Sequence, residues 1–216
     1  MYQTVIFDLD GTLLNTIDDL ANAGNHVCRE NGWPEHTAAE FCRMVGHGIP
    51  NLVSRFSPLE GQAPEILADT LRRFSAYYAQ HNMDATAPYE GIPAMLERLK
   101  LAGVQMAVYS NKADEFSQVI IRRYFPDTFA LVRGKVEGVP VKPDPTGVRG
   151  VLAELGADVT TTLFVGDSAV DIQTAHNAGL MACGVTWGFR GREELEAAGA
   201  DRMVDTAAQL EQVIME

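Results

Sequence analysis

From Pro88 to the end of the chain, short apolar runs alternate with amphipathic segments. No other feature constrains the fold as much. Helical periodicity covers roughly Pro93–Ala102 and stops at Gly103, and VQMAVYS (104–110) reads as a strand. A helix near Glu115–Tyr124 precedes a short strand near FALV (129–132). Pro145–Leu155 is a helix ended by Gly156, and TTLFVGD (161–167) is a strand running into a loop. Ala169–Ala178 is a helix ended by Gly179, and MACGV (181–185) is a strand. A last strand lies near Met203–Val204, before a helix capped by Thr206. Strands alternating with helices in this way imply a parallel sheet covered on both faces.

One more strand, TVIF (4–7), opens the chain, but alternation does not follow it at once. From Asn15 to about Ala87 the pattern is helix and turn alone. Thr16 is placed to cap a helix with Asp19 in its first turn and Ile17, Leu20, Ala21, Val27 and Cys28 on one face; Gly32 and Pro34 end it. Thr37 and Glu40 form a capping box before a short helix through Phe41, Met44 and Val45. GHGIP (46–50) breaks the pattern before a helix over Ile49–Phe56. Pro64 starts a longer helix with Ile66, Leu67, Leu71, Phe74, Tyr77 and Tyr78 on its apolar side. The expected fold is α/β: a doubly wound parallel sheet, a Rossmann-like core, of residues 1–14 and 88–216, with a helical domain of residues 15–87 inserted after the first strand. The junctions near Asn15 and at APYEG (87–91) are candidate hinges.

Charge narrows the partners. The net charge of −12 and a pI near 4.8 argue against nucleic acid, which is bound through basic patches. An anionic substrate would need local positive charge to overcome that field. Cys28, Cys42 and Cys183 are scattered and odd in number, which fits free thiols in a reducing cytoplasm. No basic segment precedes a long apolar run at the N-terminus, and no stretch is long and apolar enough to span a bilayer. A cytoplasmic protein with no membrane partner is expected, as a monomer or homodimer.

Polar residues gather where the strands end. The first strand delivers Asp8 and Asp10, followed by Gly11; the strand ending at Tyr109 delivers Ser110 and Asn111; the strand ending at Val165 delivers Asp167, with Asp171 one turn further on. Lys142 stands in VKPDP (141–145). Singly, each has an ordinary explanation: helix cap, turn residue, solvated lysine or first-turn acid. Together they mark the edge of an open parallel sheet where ligands bind. Clustered carboxylates repel one another unless a cation sits among them, and such oxygen ligands suit Mg²⁺. A carboxylate, ionised at neutral pH, can attack phosphorus without an activating base. A second acid can protonate the leaving oxygen and later take a proton from water.

These motifs resemble the haloacid dehalogenase superfamily of phosphotransferases. DLDGT (8–12), SN (110–111), Lys142 in KPDP and GDSAVD (166–171) are similar to its four motifs in order and spacing, and the helical insert is similar to its cap. PYEGIPAMLERLKLAGVQMAVYSNK (88–112), NAG (177–179) and WGFRGREEL (187–195) further resemble bacterial phosphoglycolate phosphatases. The chain departs from that group's commoner residues at His47 and Asn15. The resemblance implies that Asp8 is the nucleophile, forming an aspartyl-phosphate, and that Asp10 is general acid and then base. Gly11, Ser110 and Asn111 would lie against phosphate, and Lys142 would offset the charge of Asp8 and phosphate. Mg²⁺ would be held by Asp8, the Asp10 carbonyl and Asp167, with Asp171 a weaker contributor. The implied enzyme is a Mg²⁺-dependent phosphomonoesterase for a small phosphorylated metabolite, with 2-phosphoglycolate the first candidate. A sugar phosphomutase or pyrophosphatase with the same cap remains open, as does a phosphoaspartate signalling module; an Asp10 poised to activate water opposes the last. In the insert, Arg43 and His47, within CRMVGHG (42–48), are candidates for reading an acidic leaving group, against the plainer reading of a helix-helix turn.

Overall fold

The computed structural model describes residues 1–216. The chain divides into two compact units, one formed by Met1–Asn15 with Pro88–Glu216 and the other by Thr16–Ala87.

The first unit is built on a six-stranded sheet. Its strands are β1 (Thr4–Phe7), β4 (Gln105–Ala113), β5 (Leu131–Lys135), β6 (Thr162–Gly166), β7 (Met181–Val185) and β8 (Arg202–Val204), in the order β5-β4-β1-β6-β7-β8. Every neighbouring pair is parallel. Successive strand residues face opposite sides, so each strand feeds two cores. Val5, Phe7, Met106, Val108, Leu163, Val165 and Cys183 pack on one face, against α5 (Ile92–Leu101), α6 (Asp114–Tyr124) and α10 (Ala207–Met215). Ile6, Ala107, Tyr109, Phe164 and Ala182 pack on the other, against α7 (Thr146–Leu155), α8 (Ala169–Ala178) and α9 (Arg192–Ala197). With both faces covered, β1 is buried at all four positions. The doubly wound α/β architecture expected from the alternation is present.

The differences from the sequence reading are local. β4 runs on past the expected end at Ser110 to Ala113, so Asn111 also lies inside a strand, whose register against β5 shifts between Tyr109 and Ala113. Polar residues in a buried strand read as a turn because their partners are distant in sequence. β5 begins two residues later than expected, and α9 is too short to leave a helical period. Strands β2 (Leu14–Asn15) and β3 (Ala87–Pro88) form a two-stranded sheet where only helix and turn were expected. Two-residue strands carry no alternation to detect.

The second unit holds α1 (Ile17–Asn31), α2 (Ala38–Met44), α3 (Ile49–Phe56) and α4 (Pro64–His81). The Thr37–Glu40 capping box forms, with Thr37 N–H donating to Glu40 Oε2 at 2.7 Å. Thr16 occupies the N-cap of α1 but makes no side-chain cap bond there. An aromatic chain fills the interior: Phe41 and Phe56 have ring centroids 5.9 Å apart, Phe56 and Phe74 6.1 Å, and Phe74 and Tyr78 5.8 Å. Asp19 is buried on α1 and accepts three hydrogen bonds, from Ala85 N–H at 2.9 Å, Thr86 N–H at 2.8 Å and Thr86 Oγ1 at 2.7 Å. A buried carboxylate needs such partners. Here they tie the segment leaving α4 back to the start of α1. No helix is long and apolar enough to cross a membrane. Cys28, Cys42 and Cys183 are all free thiols; burial pushes Cys28 up to about 11 and Cys183 up to about 12.

Candidate active site

The site follows from strand register. Phe7, the last residue of β1, pairs with Val108 of β4 and Val165 of β6. The next residue, Asp8, donates its N–H to Val165 O at 2.8 Å. Asp8 is thus fixed where β1 leaves the sheet, and Asp167 stands just past the end of β6. After β1 the sheet is extended first through β4 and β5 on one side and then through β6, β7 and β8 on the other. The crevice at such a reversal is where open α/β sheets bind ligands.

Asp8, Asp167 and Asp171 are all buried, with oxygens within 4.8 Å of one another. Against three carboxylates the cluster itself brings one ammonium, Lys142. Lys142 Nζ lies 2.6 Å from Asp171 Oδ1 and 2.8 Å from Asp8 Oδ1. Apart from this ion pair with Lys142, no donor meets Asp8 Oδ1, which keeps acceptor capacity. The Lys142 side chain is 2% exposed, and Nζ sits about equidistant from the Tyr109 and Phe164 rings, 6.0 and 5.7 Å from their centroids. Its backbone is pinned by Asn111: Lys142 N–H donates to Asn111 Oδ1 at 2.8 Å, and Asn111 Nδ2 donates to Lys142 O at 3.2 Å.

The electrostatics follow from this crowding. Burial pushes Asp8 up to about 6, against the pull of Lys142 and with the help of Asp171. Burial, then the Asp171 and Asp8 charges, hold Asp167 well above the usual carboxylate range, although Phe189 N–H donates to its Oδ2 at 2.7 Å. Lys142 is held above its ordinary value: burial works against its charge, and Asp171 and Asp8 outweigh it. The cluster is short of positive charge. Three buried carboxylates, one with unfilled acceptor capacity, are a donor set that suits a hard divalent cation.

Asp171 has both oxygens engaged. Oδ1 meets Lys142, while Oδ2 accepts from Ser168 N–H at 3.1 Å and Ser168 Oγ at 2.6 Å, closing a capping box at the start of α8. It is therefore a first-turn acid and the partner of Lys142 at once. Asp10 stands apart from the cluster; both its oxygens meet Lys112 Nζ, at 3.0 and 3.2 Å. Ser110 is buried in β4, and its Oγ accepts from Lys112 N–H at 3.3 Å. Gly11 has φ +84°, and a methyl group there would overlap the Asp167 carboxylate. A methyl group at Gly188 would overlap both Asp167 and the Gly11 carbonyl.

The structure brings Asp8, Asp10, Gly11, Ser110, Asn111, Lys142, Asp167 and Asp171 to one edge of the first unit. Arg43 and His47 belong to the second, in the last turn of α2 and in the turn that follows it. Sequence reading quoted Lys112 and the segment from Trp187 to Phe189 within longer matching stretches but gave neither a place in the site. Lys112 follows Ser110-Asn111 directly and closes the matching stretch 88–112, but neither signal shows that it meets Asp10. Trp187 Nε1 donates to Thr12 O at 3.0 Å, across 175 positions of sequence.

Comparison with known proteins identifies the family. A family model described as haloacid dehalogenase-like hydrolase matches residues 5–185. The chain belongs to that family. It is an enzyme, a phosphatase. It is 34% identical to the phosphoglycolate phosphatase of Agrobacterium fabrum over 85% of this chain and 80% of that one. It is 31% identical to the phosphoglycolate phosphatase of Vibrio vulnificus over 98% of this chain and 95% of that one. The crystal structure of a protein from Lactobacillus delbrueckii subsp. bulgaricus, provisionally named a phosphoglycolate phosphatase, superimposes with a TM-score of 0.93. The two are 32% identical over 99% of this chain and 98% of the other.

Removing one partner from a buried charge group leaves the others uncompensated, which costs about 3–5 kcal/mol. Lys142→Met is expected to lose about that much stability in chelator-treated protein, measured by urea unfolding. Adding Asp171→Asn should recover part of the loss. An unfolding midpoint unchanged from the parent would show that Lys142 does not neutralise the cluster.

Proposed function

We propose that the protein hydrolyses a small phosphomonoester, 2-phosphoglycolate in the first instance, through a phosphorylated Asp8. The observation that carries this reading is the pair of acids leaving β1 with separate lysine partners: Asp8 with Lys142, Asp10 with Lys112. One carboxylate lies in a buried, charge-compensated cluster, and the other lies two residues away, more exposed and outside it. That is the division of labour between a nucleophile and a proton carrier.

Asp8 attacks phosphorus, and the bond from phosphorus to the leaving oxygen breaks as Asp10 gives that oxygen a proton. Water then attacks the phosphorus of the aspartyl-phosphate and Asp10 takes the water's proton. Inorganic phosphate leaves and Asp8 is restored. Ser110 and the backbone around Gly11 and Asn111 bind phosphate oxygens, and Lys142 offsets the charge of Asp8 and phosphate. Asp171 keeps Lys142 in place. Asp8, the Asp10 carbonyl and Asp167 are the groups that would hold Mg²⁺, whose positive charge would offset the crowded carboxylates and the substrate phosphate. The helical unit acts as a cap, and Arg43 and His47 read the substrate's carboxylate. The names of the relatives support the substrate.

Asp8→Ala is expected to abolish turnover, and Asp10→Asn to lower it ~10²–10⁴-fold, the usual worth of acid-base assistance. Steady-state kinetics check both, and near-parental turnover in Asp8→Ala would remove the covalent route. For the metal, Mg²⁺ should raise the melting temperature of chelator-treated parent protein but not of Asp167→Asn. An equal rise in both would exclude Asp167 as a ligand. For the cap, Arg43→Ala and His47→Ala should lower kcat/KM for 2-phosphoglycolate roughly ten- to a hundredfold more than for p-nitrophenyl phosphate, the scale of one charge-assisted hydrogen bond. Equal losses on the two substrates would show that these residues do not read the leaving group.

A further inference from the structure

Lys112 takes no step in the chemistry set out above, yet its side chain is as buried as that of Lys142. Its side chain is 2% exposed, against 13% for its partner Asp10. Its N–H donates to Ser110 Oγ, and Ser117 Oγ donates to its carbonyl at 3.4 Å. Burying an ammonium in this way costs more than burying a methionine of similar length, so stability alone is a poor reason for a lysine here. Asp10 lies outside the regular strands, in the turn after β1, with two side-chain torsions to fix. One ammonium within 3.0 and 3.2 Å of its two oxygens fixes the direction in which the carboxyl group points. The contact spans 102 positions, joining the turn after β1 to the irregular end of β4, beside Ser110.

We propose that Lys112 is a positioning residue, which aims the Asp10 carboxyl group at the leaving oxygen of a phosphate held beside Ser110. The proposal rests on the role of Asp10 given above. A carboxyl group that is free to swing into other rotamers reaches the leaving oxygen less often. The loss therefore falls on substrates whose leaving group needs a proton, and spares those that depart without one.

The test is kcat/KM across a series of substituted phenyl phosphates. This quantity covers the steps up to phosphorylation of Asp8, so the later attack of water does not enter it. For Lys112→Met, p-nitrophenyl phosphate should lose less than about threefold. Unsubstituted phenyl phosphate, with a far more basic leaving group, should lose on the order of ten- to a hundredfold, part of the full worth of acid assistance. Lys112→Arg, which keeps a charged donor, should restore most of the loss. Asp10→Asn should show the same leaving-group dependence, and adding Lys112→Met to it should cost nothing more. A uniform loss across the series, or additive losses in the double variant, would overturn the proposal. If Asp10→Asn itself shows no leaving-group dependence, the role of Asp10 fails first. If Asp10→Asn shows it and Lys112→Met does not, only the role of Lys112 fails. Should Lys112→Met not fold, Lys112→Gln, with a donor but no charge, is read in the same way.

Discussion

A buried excess of negative charge at the end of β1 is the constraint to which the surrounding structure answers. Asp8, Asp167 and Asp171 are buried within a few ångströms of one another, and Lys142 is the ammonium among them. Removing such charges from water is expensive unless each is paired or bonded. Many local features meet that demand. Asn111 clamps the Lys142 backbone, Ser168 occupies the second oxygen of Asp171, and Phe189 N–H meets Asp167. Two glycines clear the space that the Asp167 carboxylate occupies.

The sheet makes this concentration of charge mechanically sound. β1 is flanked on both sides by parallel strands and covered on both faces by helices, so the point where Asp8 emerges cannot drift. Register sets Asp8 beside Val165, and two further residues along the partner strand comes Asp167. The same rigidity holds the two lysines. Lys142 and Lys112 reach Asp8 and Asp10 from different parts of the chain, so the two acids meet different cations. Two carboxylates of one short motif are thereby placed in different surroundings. A fold that gives neighbouring acids different partners gives them different chemistry.

The second unit obeys other rules. Its aromatic interior and the Asp19 bonds to Ala85 and Thr86 make it a body in its own right, closed where the chain enters and leaves. A unit with its own interior tolerates change in its loops without loss of fold.

The sequence by itself determined the order and kind of the main elements, because strand and helix periods are local properties of the chain. It also determined the acids, the serine and Lys142 as a set, because each follows a strand or sits in a loop whose position the alternation implies. The Thr37 capping box was legible for the same reason, being complete within four residues. Tertiary structure alone decided which charge meets which. Lys112 reaches Asp10 across 102 positions, and Trp187 reaches Thr12 across 175. Asp171 is both a helix cap and the partner of Lys142, and only its first role is local. Nor does any sequence period mark β2 and β3, which are two residues each, or the continuation of β4 through Ser110 and Asn111. β2 and β3 exist because each supplies the other's hydrogen bonds, and a neighbour in space is not written in the order of the residues.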